Sequence, residues 1–241
     1  MTNPLVRKLS AFAPLSDADT DRLVQLSKHI KRFDADKDII RENNNPSNVH
    51  LVMSGLACRY KTTADGNRQI FAYMVPGDFC DLHVALLTRM DHSIATLAPS
   101  DIVDIPHTTI LDLTDSYPAI AKALLWATLV DGAILREWLT NMGQRPADAR
   151  IAHLFCELYV RMETVGLAER DSFELPLTQI ELADTMGLST VHANRSLKAL
   201  REAGLVRIEG KKIVIPDVER LKAYADFDPI YLHRRQDLSA R

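Results

Sequence analysis

Hydrophobic positions along the chain change their period near residue 30 and again near residue 119. In residues 3–27 they recur at helical spacing, and Ser16 stands as an N-cap before an amphipathic segment that buries Leu23, Val24 and Leu26. From Ile30 to about Ile110 the period shortens to two, in runs at 38–40, 49–53, 56–60, 69–75 and 93–97 separated by turn residues. Asp65-Gly66, between two alternating runs, predicts a tight hairpin. Many short strands so spaced predict a sandwich or barrel. A β-domain without any ligand stays open as a reading, because fold does not fix function.

The helical period then returns over residues 119–142, apolar on nearly every face as far as Val130. Beyond that point Ile134, Trp138 and Asn141 make one stripe, with Leu135, Leu139 and Met142 beside it. Such a helix fits between its own β-domain and a partner chain, and the stripe suits a two-stranded seam; a core helix within one chain is the plainer alternative. Gly143 and Pro146 predict a break and a hinge. Residues 147–162 are amphipathic, with Ile151, Leu154, Phe155, Leu158, Tyr159 and Met162 facing one way.

Residues 177–210, LTQIELADTMGLSTVHANRSLKALREAGLVRIEG, carry the densest set of signals. Thr178 and Glu181 stand in capping-box relation, so a helix starting at Thr178 carries Ile180, Leu182, Ala183 and Met186. Gly187 ends it, and Ser189 caps a second helix whose Ala193, Leu197 and Leu200 share a face. A hairpin wing follows. This is a helix-turn-helix pattern, with Thr190, Val191, His192, Asn194, Arg195 and Lys198 on the face left over. Between Ser189 and Lys212, six basic residues (Arg195, Lys198, Arg201, Arg207, Lys211, Lys212) outnumber Glu202 and Glu209, in a chain of net charge −3. Phosphate contacts need such a local excess, while one or two side chains near the helix start read base edges. Arg195 can fork onto guanine and Asn194 onto adenine. A last helix contains Val218, Leu221 and Ala223, and a tail from Phe227 is expected to be anchored and then to fray.

Composition narrows the classes. The 241 residues are 46% hydrophobic, enough for two domains. No run of about 18 apolar residues is read, and the opening MTNPLVRKLS lacks an apolar signal core, so a cytoplasmic protein without a membrane partner is expected. Cys58, Cys80 and Cys156 have no C-x-x-C spacing, which predicts reduced thiols and no cysteine-only metal site. No nucleophile elbow, phosphate-cradling loop, H-E-x-x-H or paired catalytic carboxylates occur, so no enzyme is expected.

The helix-turn-helix stretch with its IEGKKIVI wing, PGDFCDL at 76–82, Gly55 and Gly66 together resemble the Crp/Fnr family of bacterial transcription regulators, over nearly the whole chain. The resemblance implies an α+β chain: a sensory β-roll (double-stranded β-helix, or jelly roll) with N-terminal helices at 1–118, a dimerisation helix and hinge at 119–144, and a winged helix-turn-helix at 145–241. It implies a homodimer on palindromic double-stranded DNA, with recognition helices about 34 Å apart, and RNA polymerase as a further partner. Thr178, Ser189, Thr190, His192, Asn194, Arg195, Lys198 and Lys211 are then the expected DNA contacts. Leu124, Ile134, Leu135, Trp138 and Met142 are the expected dimer contacts. The effector pocket is expected at Gly77, Asp78, Phe79, Cys80, His83, His92 and Ser93. Cyclic-nucleotide-binding relatives place a glutamate and an arginine where this chain has Leu82 and His92, so cyclic AMP is not the expected effector. Arg89, a protonated His92 or Asp81 would be the substitutes. Cys80, His83 and His92 leave a heme or redox reading open, and no metal set is assigned. Many relatives also carry a glutamate where this chain has Val191, which implies a different half-site.

Overall fold

A computed structural model describes residues 3–87 and 89–234. Two N-terminal helices, α1 (Pro4–Ser10) and α2 (Asp17–Leu26), open the fold, the second held by a capping box between Ser16 and Asp19. Seven strands follow: β1 (Ile30–Phe33), β2 (Asp38–Ile40), β3 (Asn48–Ser54), β4 (Ala57–Thr62), β5 (Arg68–Met74), β6 (Ser93–Thr96) and β7 (Ser100–Pro106). They form two antiparallel sheets, β1-β7-β3 and β2-β6-β4-β5, whose inward side chains make the β-roll core. Asp65-Gly66 turns β4 into β5 as expected, with Gly66 at φ 82°. Strands β1 and β7 were not separately resolved in the sequence pattern. Nor was α3 (His107–Ser116), where strand had been read as far as Ile110.

Helix α4 (Pro118–Gln144) crosses the roll and leads to α5 (Ala147–Thr164). The expected break at Gly143 is displaced, since α4 continues through Gly143 and ends at Arg145. Arg145 is extended, with ψ 145°, because a residue before proline is pushed out of the helical region. The apolar content of α4 also exceeds the sequence reading: it is long and apolar enough to cross a membrane by length and composition, and 33% of its most apolar window is buried in the protein.

The C-terminal part comprises β8 (Ser172–Glu174), α6 (Gln179–Met186), α7 (Thr190–Glu202), β9 (Arg207–Glu209), β10 (Lys212–Val214) and α8 (Val218–Ala225). The wing is a three-stranded sheet, β8-β10-β9, one strand more than the hairpin predicted. Helix α5 is buried on nearly every side rather than on one face, because α7, α8 and β8 pack around it. A short 3₁₀ turn, Pro229–Leu232, lies against α4, with the Trp126 indole donating to His233 O at 3.2 Å. The fraying expected at the end of the tail lies outside the described residues.

Candidate nucleic-acid interface and effector cavity

Helices α6 and α7 are set by local chemistry. Thr178 accepts from Glu181 N at 3.2 Å while the Glu181 carboxylate accepts from Thr178 N at 2.6 Å, closing the capping box. The same carboxylate takes the Thr178 hydroxyl at 2.8 Å, so this expected DNA contact is already engaged in the cap. Gly187 is left-handed at φ 61°, so the backbone favours glycine there, and Met142 Cε stands 3.2 Å from where a Cβ would be. Leu182, Ala183 and Met186 pack against Ala193 and Leu200, whereas Ile180 is 61% exposed and does not belong to that core.

Ser189 caps α7 by accepting from His192 N at 3.3 Å. On the outer face Thr190, Val191, Arg195 and Lys198 are exposed and His192 and Asn194 half-buried. Arg195 makes no hydrogen bond or ion pair among the described residues, which leaves its guanidinium available. Lys198 pairs with Glu202 at 3.5 Å, and Lys211 is exposed at the wing tip. The α7 N-terminus adds unsatisfied amides and the positive end of the helix dipole.

The β-roll encloses a cavity of about 250 Å³ against α4, lined by Arg59, Phe71, Ala72, Tyr73, Met74, Asp91, His92, Asp131, Gly132, Ile134, Leu135 and Arg161. A bulge between β4 and β5 places Phe71 opposite no partner, and its ring meets His92 edge-on at 5.4 Å. Of the expected pocket residues only His92 lines this cavity, with His83 behind it at 5.5 Å between ring centroids. The others are committed elsewhere. A Cβ on Gly77 would meet Pro4 O, so this glycine lets α1 approach. Asp78 accepts from Lys8, from Arg161 at 2.7 Å and from Val75 N at 2.9 Å. Phe79 bridges to Leu51, Cys80 N donates to His50 O at 2.7 Å, and Ser93 accepts from Glu42 N at 2.9 Å.

The cavity's own cations are internally matched. Arg59 donates to Cys80 O at 2.7 Å and to Asp131 at 3.0 Å; Arg161 donates to Glu157 at 3.0 Å and to Asp78. Asp81 is spent on His50, at 2.6 Å to Nδ1. Burial raises the Cys80 thiol well above its ordinary range and lifts Cys58 and Cys156 to about 12. Cys80 is fully buried and does not line the cavity, so the cavity presents no sulfur to a heme or an oxidant.

Residues 149–224 match the Crp-like helix-turn-helix domain and residues 30–117 the cyclic nucleotide-binding domain. The chain belongs to the Crp/Fnr family. The transcriptional activator protein FnrL of Cereibacter sphaeroides is 28% identical over 218 residues, covering 87% of this chain and 86% of that protein. The nitrogen fixation regulation protein FixK of Azorhizobium caulinodans is 24% identical over 183 residues, covering 76% and 73%. The solved structure of FixK2 from Bradyrhizobium japonicum shares the fold with a TM-score of 0.72 at 22% identity, covering 81% of this chain and 97% of that one. Crp/Fnr proteins are DNA-binding transcription regulators that act as dimers.

Within this Crp/Fnr chain the expected dimer contacts divide. Leu124, Ile134 and Trp138 are 3%, 7% and 5% exposed and point into their own chain, Trp138 donating to Glu157 at 2.9 Å. Met142 turns toward Gly187. Leu135 alone stays outward, in company with Leu125, Leu129 and Leu139. Arg59 and Asp131, 72 residues apart, were missed in the cavity. The available signal was Asp131 itself, a carboxylate directly after the largely apolar run from Ala123 to Val130.

Proposed function

We propose that this chain is a sequence-specific transcription regulator that dimerises through the outer face of α4 and reads an operator with α7, under an effector other than cyclic AMP or none. The observation that carries the reading is the exposed face of α7 with Arg195 unengaged, beside a basic wing. Leu125, Leu135 and Leu139, with Thr128 and Gly132, recur at alternating three- and four-residue steps, as a two-stranded seam requires. The functional division then falls at residues 144–147, with sensor before and DNA-binding part after. A cytoplasmic location and contact with RNA polymerase follow from the same role.

Cyclic AMP is disfavoured by charge. A buried cyclic phosphate needs a free guanidinium, and Arg59 and Arg161 already answer Asp131, Asp78 and Glu157. Leu82 cannot accept a ribose hydroxyl, and burial lowers the His92 pKa, keeping the ring neutral. Calorimetric titration should give no isotherm with cyclic AMP at concentrations on the order of 10 μM, the range of a binding free energy near 7 kcal/mol; a saturable signal of one per protomer overturns this part. The DNA part is tested by selecting operators from random duplexes and measuring affinity at two salt concentrations. A palindromic consensus bound at least ~10³-fold tighter than random DNA supports it. Equal salt-dependent affinity for all sequences would instead make the protein an architectural binder.

A further inference from the structure

Among the described residues one convergent group of potential ligands takes no part in the DNA interface. His83, on the 3₁₀ turn Leu82–Ala85, meets Asp91 and His92, which lead into β6, and ligand atoms of the three lie within 4.8 Å of one another. His92 is 7% exposed; its Nδ1 is 2.6 Å from Asp91 Oδ1, while its Nε2 is buried without a hydrogen-bond partner. The Nε2 of His83 is buried and unpartnered as well. Two orphaned imidazole nitrogens side by side are desolvated without compensation unless something binds them.

We propose that His83, His92 and Asp91 form a mononuclear site for a divalent transition-metal ion of the zinc or ferrous class, at the rim of the β-roll cavity. Imidazole and carboxylate donors suit such borderline ions, whereas magnesium and calcium call for oxygen donors throughout. The separation of up to 4.8 Å exceeds the roughly 3.4 Å between tetrahedral ligands on bonds of about 2.1 Å, a closure within the range of side-chain rotation. Asp91 Oδ1 stands 2.6 Å from His92 Nδ1, and this exposed carboxylate reaches an ion on Nε2 by rotating off that nitrogen. The nearest fixed cation, Arg59, is matched by Asp131, so Asp91 leaves the surroundings net negative. Three protein ligands leave a coordination position open, and His92 and Asp91 both line the cavity against α4. A small ligand on the ion would therefore touch Leu135 and Asp131 of that helix.

Full-length protein stripped with chelator should bind one zinc ion per protomer by calorimetry, and cobalt in its place should show the visible bands of low-coordinate Co²⁺. His83→Gln and His92→Gln should each weaken binding at least tenfold. Asp91→Asn should weaken it by about tenfold, and Cys80→Ser should leave it unchanged. Asp91 is exposed, so D91N keeps the test decisive if the histidine variants fail to fold. Zinc should also raise the melting temperature of the wild type by linkage and that of D91N by less. Wild-type binding well below one equivalent, or D91N binding zinc as tightly as wild type, overturns the site. Neither readout involves DNA, so the proposed regulatory role is not at stake in it.

Discussion

Under the proposed function, Arg195 is the side chain on which specificity turns. It lies exposed in the second turn of α7, with no competing carboxylate bonded to it, and a bidentate guanine contact is worth roughly 1–3 kcal/mol. Arg195→Ala should cost that much on the selected operator by fluorescence anisotropy, with unchanged affinity for random DNA and an unchanged melting curve. A second residue, His153, sets an acid limit. It is 1% exposed between Phe227 and Tyr231, and burial together with Arg145 lowers its pKa to about 3. Glu137 stands 3.2 Å away and would favour the charged ring, but its oxygen already takes Arg145 at 2.9 Å. The unfolded ring titrates near 6.5, so the unfolded state binds the extra proton and stability falls as pH drops below about 6.5 toward 3. The melting temperature should decline over that window, and His153→Phe, if it folds, should flatten the decline. At this scale the sequence was most legible, since Thr178 with Glu181, Ser16 and Gly187 declare their roles within a few residues. Arg59 and Asp131 do not, because their partnership depends on a helix crossing the sheet.

The elements repeat that division between local and distant information. Strands with strong alternation and helices with caps were readable, whereas the short β1 and β8, and β7 despite its seven residues, acquire their identity from pairing. Helix α4 shows the limit clearly: its apolar surface extends nearly all round, so periodicity could not tell which leucines face the home β-roll and which face away. The fold resolves this by turning Trp138 onto Glu157 and leaving Leu139 74% exposed. Leu139→Asp should accordingly convert a dimer to a monomer in sedimentation velocity at micromolar protein without lowering helix content. Trp138→Asp should instead destabilise the chain by more than about 3 kcal/mol, through a buried unpaired charge and a lost core aromatic. A dimer that withstands Leu139→Asp would place the seam on another face.

The whole molecule is linked by polar contacts between its two halves. From β5, Arg68 pairs with Asp184 of α6 at 2.7 Å, Gln69 donates to Thr185 O at 3.1 Å, and the Tyr73 and Thr185 hydroxyls are bonded. These contacts hold the first helix of the helix-turn-helix against the sensor. Arg68→Ala should loosen that hold: amide exchange in α6 and β5 should speed up while the cores of the roll and of α5 stay protected. If protection of α6 is unaltered, the pair contributes nothing to the docking.

Glu157 gathers more of the chain than any motif suggested. Fully buried on α5, it accepts from Trp138 of α4, from Arg161 on its own helix and from Tyr231 of the last 3₁₀ turn, while Arg161 passes the connection on to Asp78, which also takes Lys8 of α1. Five segments distant in sequence thus share one interior charge balance. A chimera that exchanged everything after Arg145 would remove Glu157, Arg161 and Tyr231 and leave Lys8, Asp78 and Trp138 behind. The two halves of this regulator are therefore coupled through one buried network at positions 8, 78, 138, 157, 161 and 231, and a chimera keeps its stability only where the imported half carries matching charges.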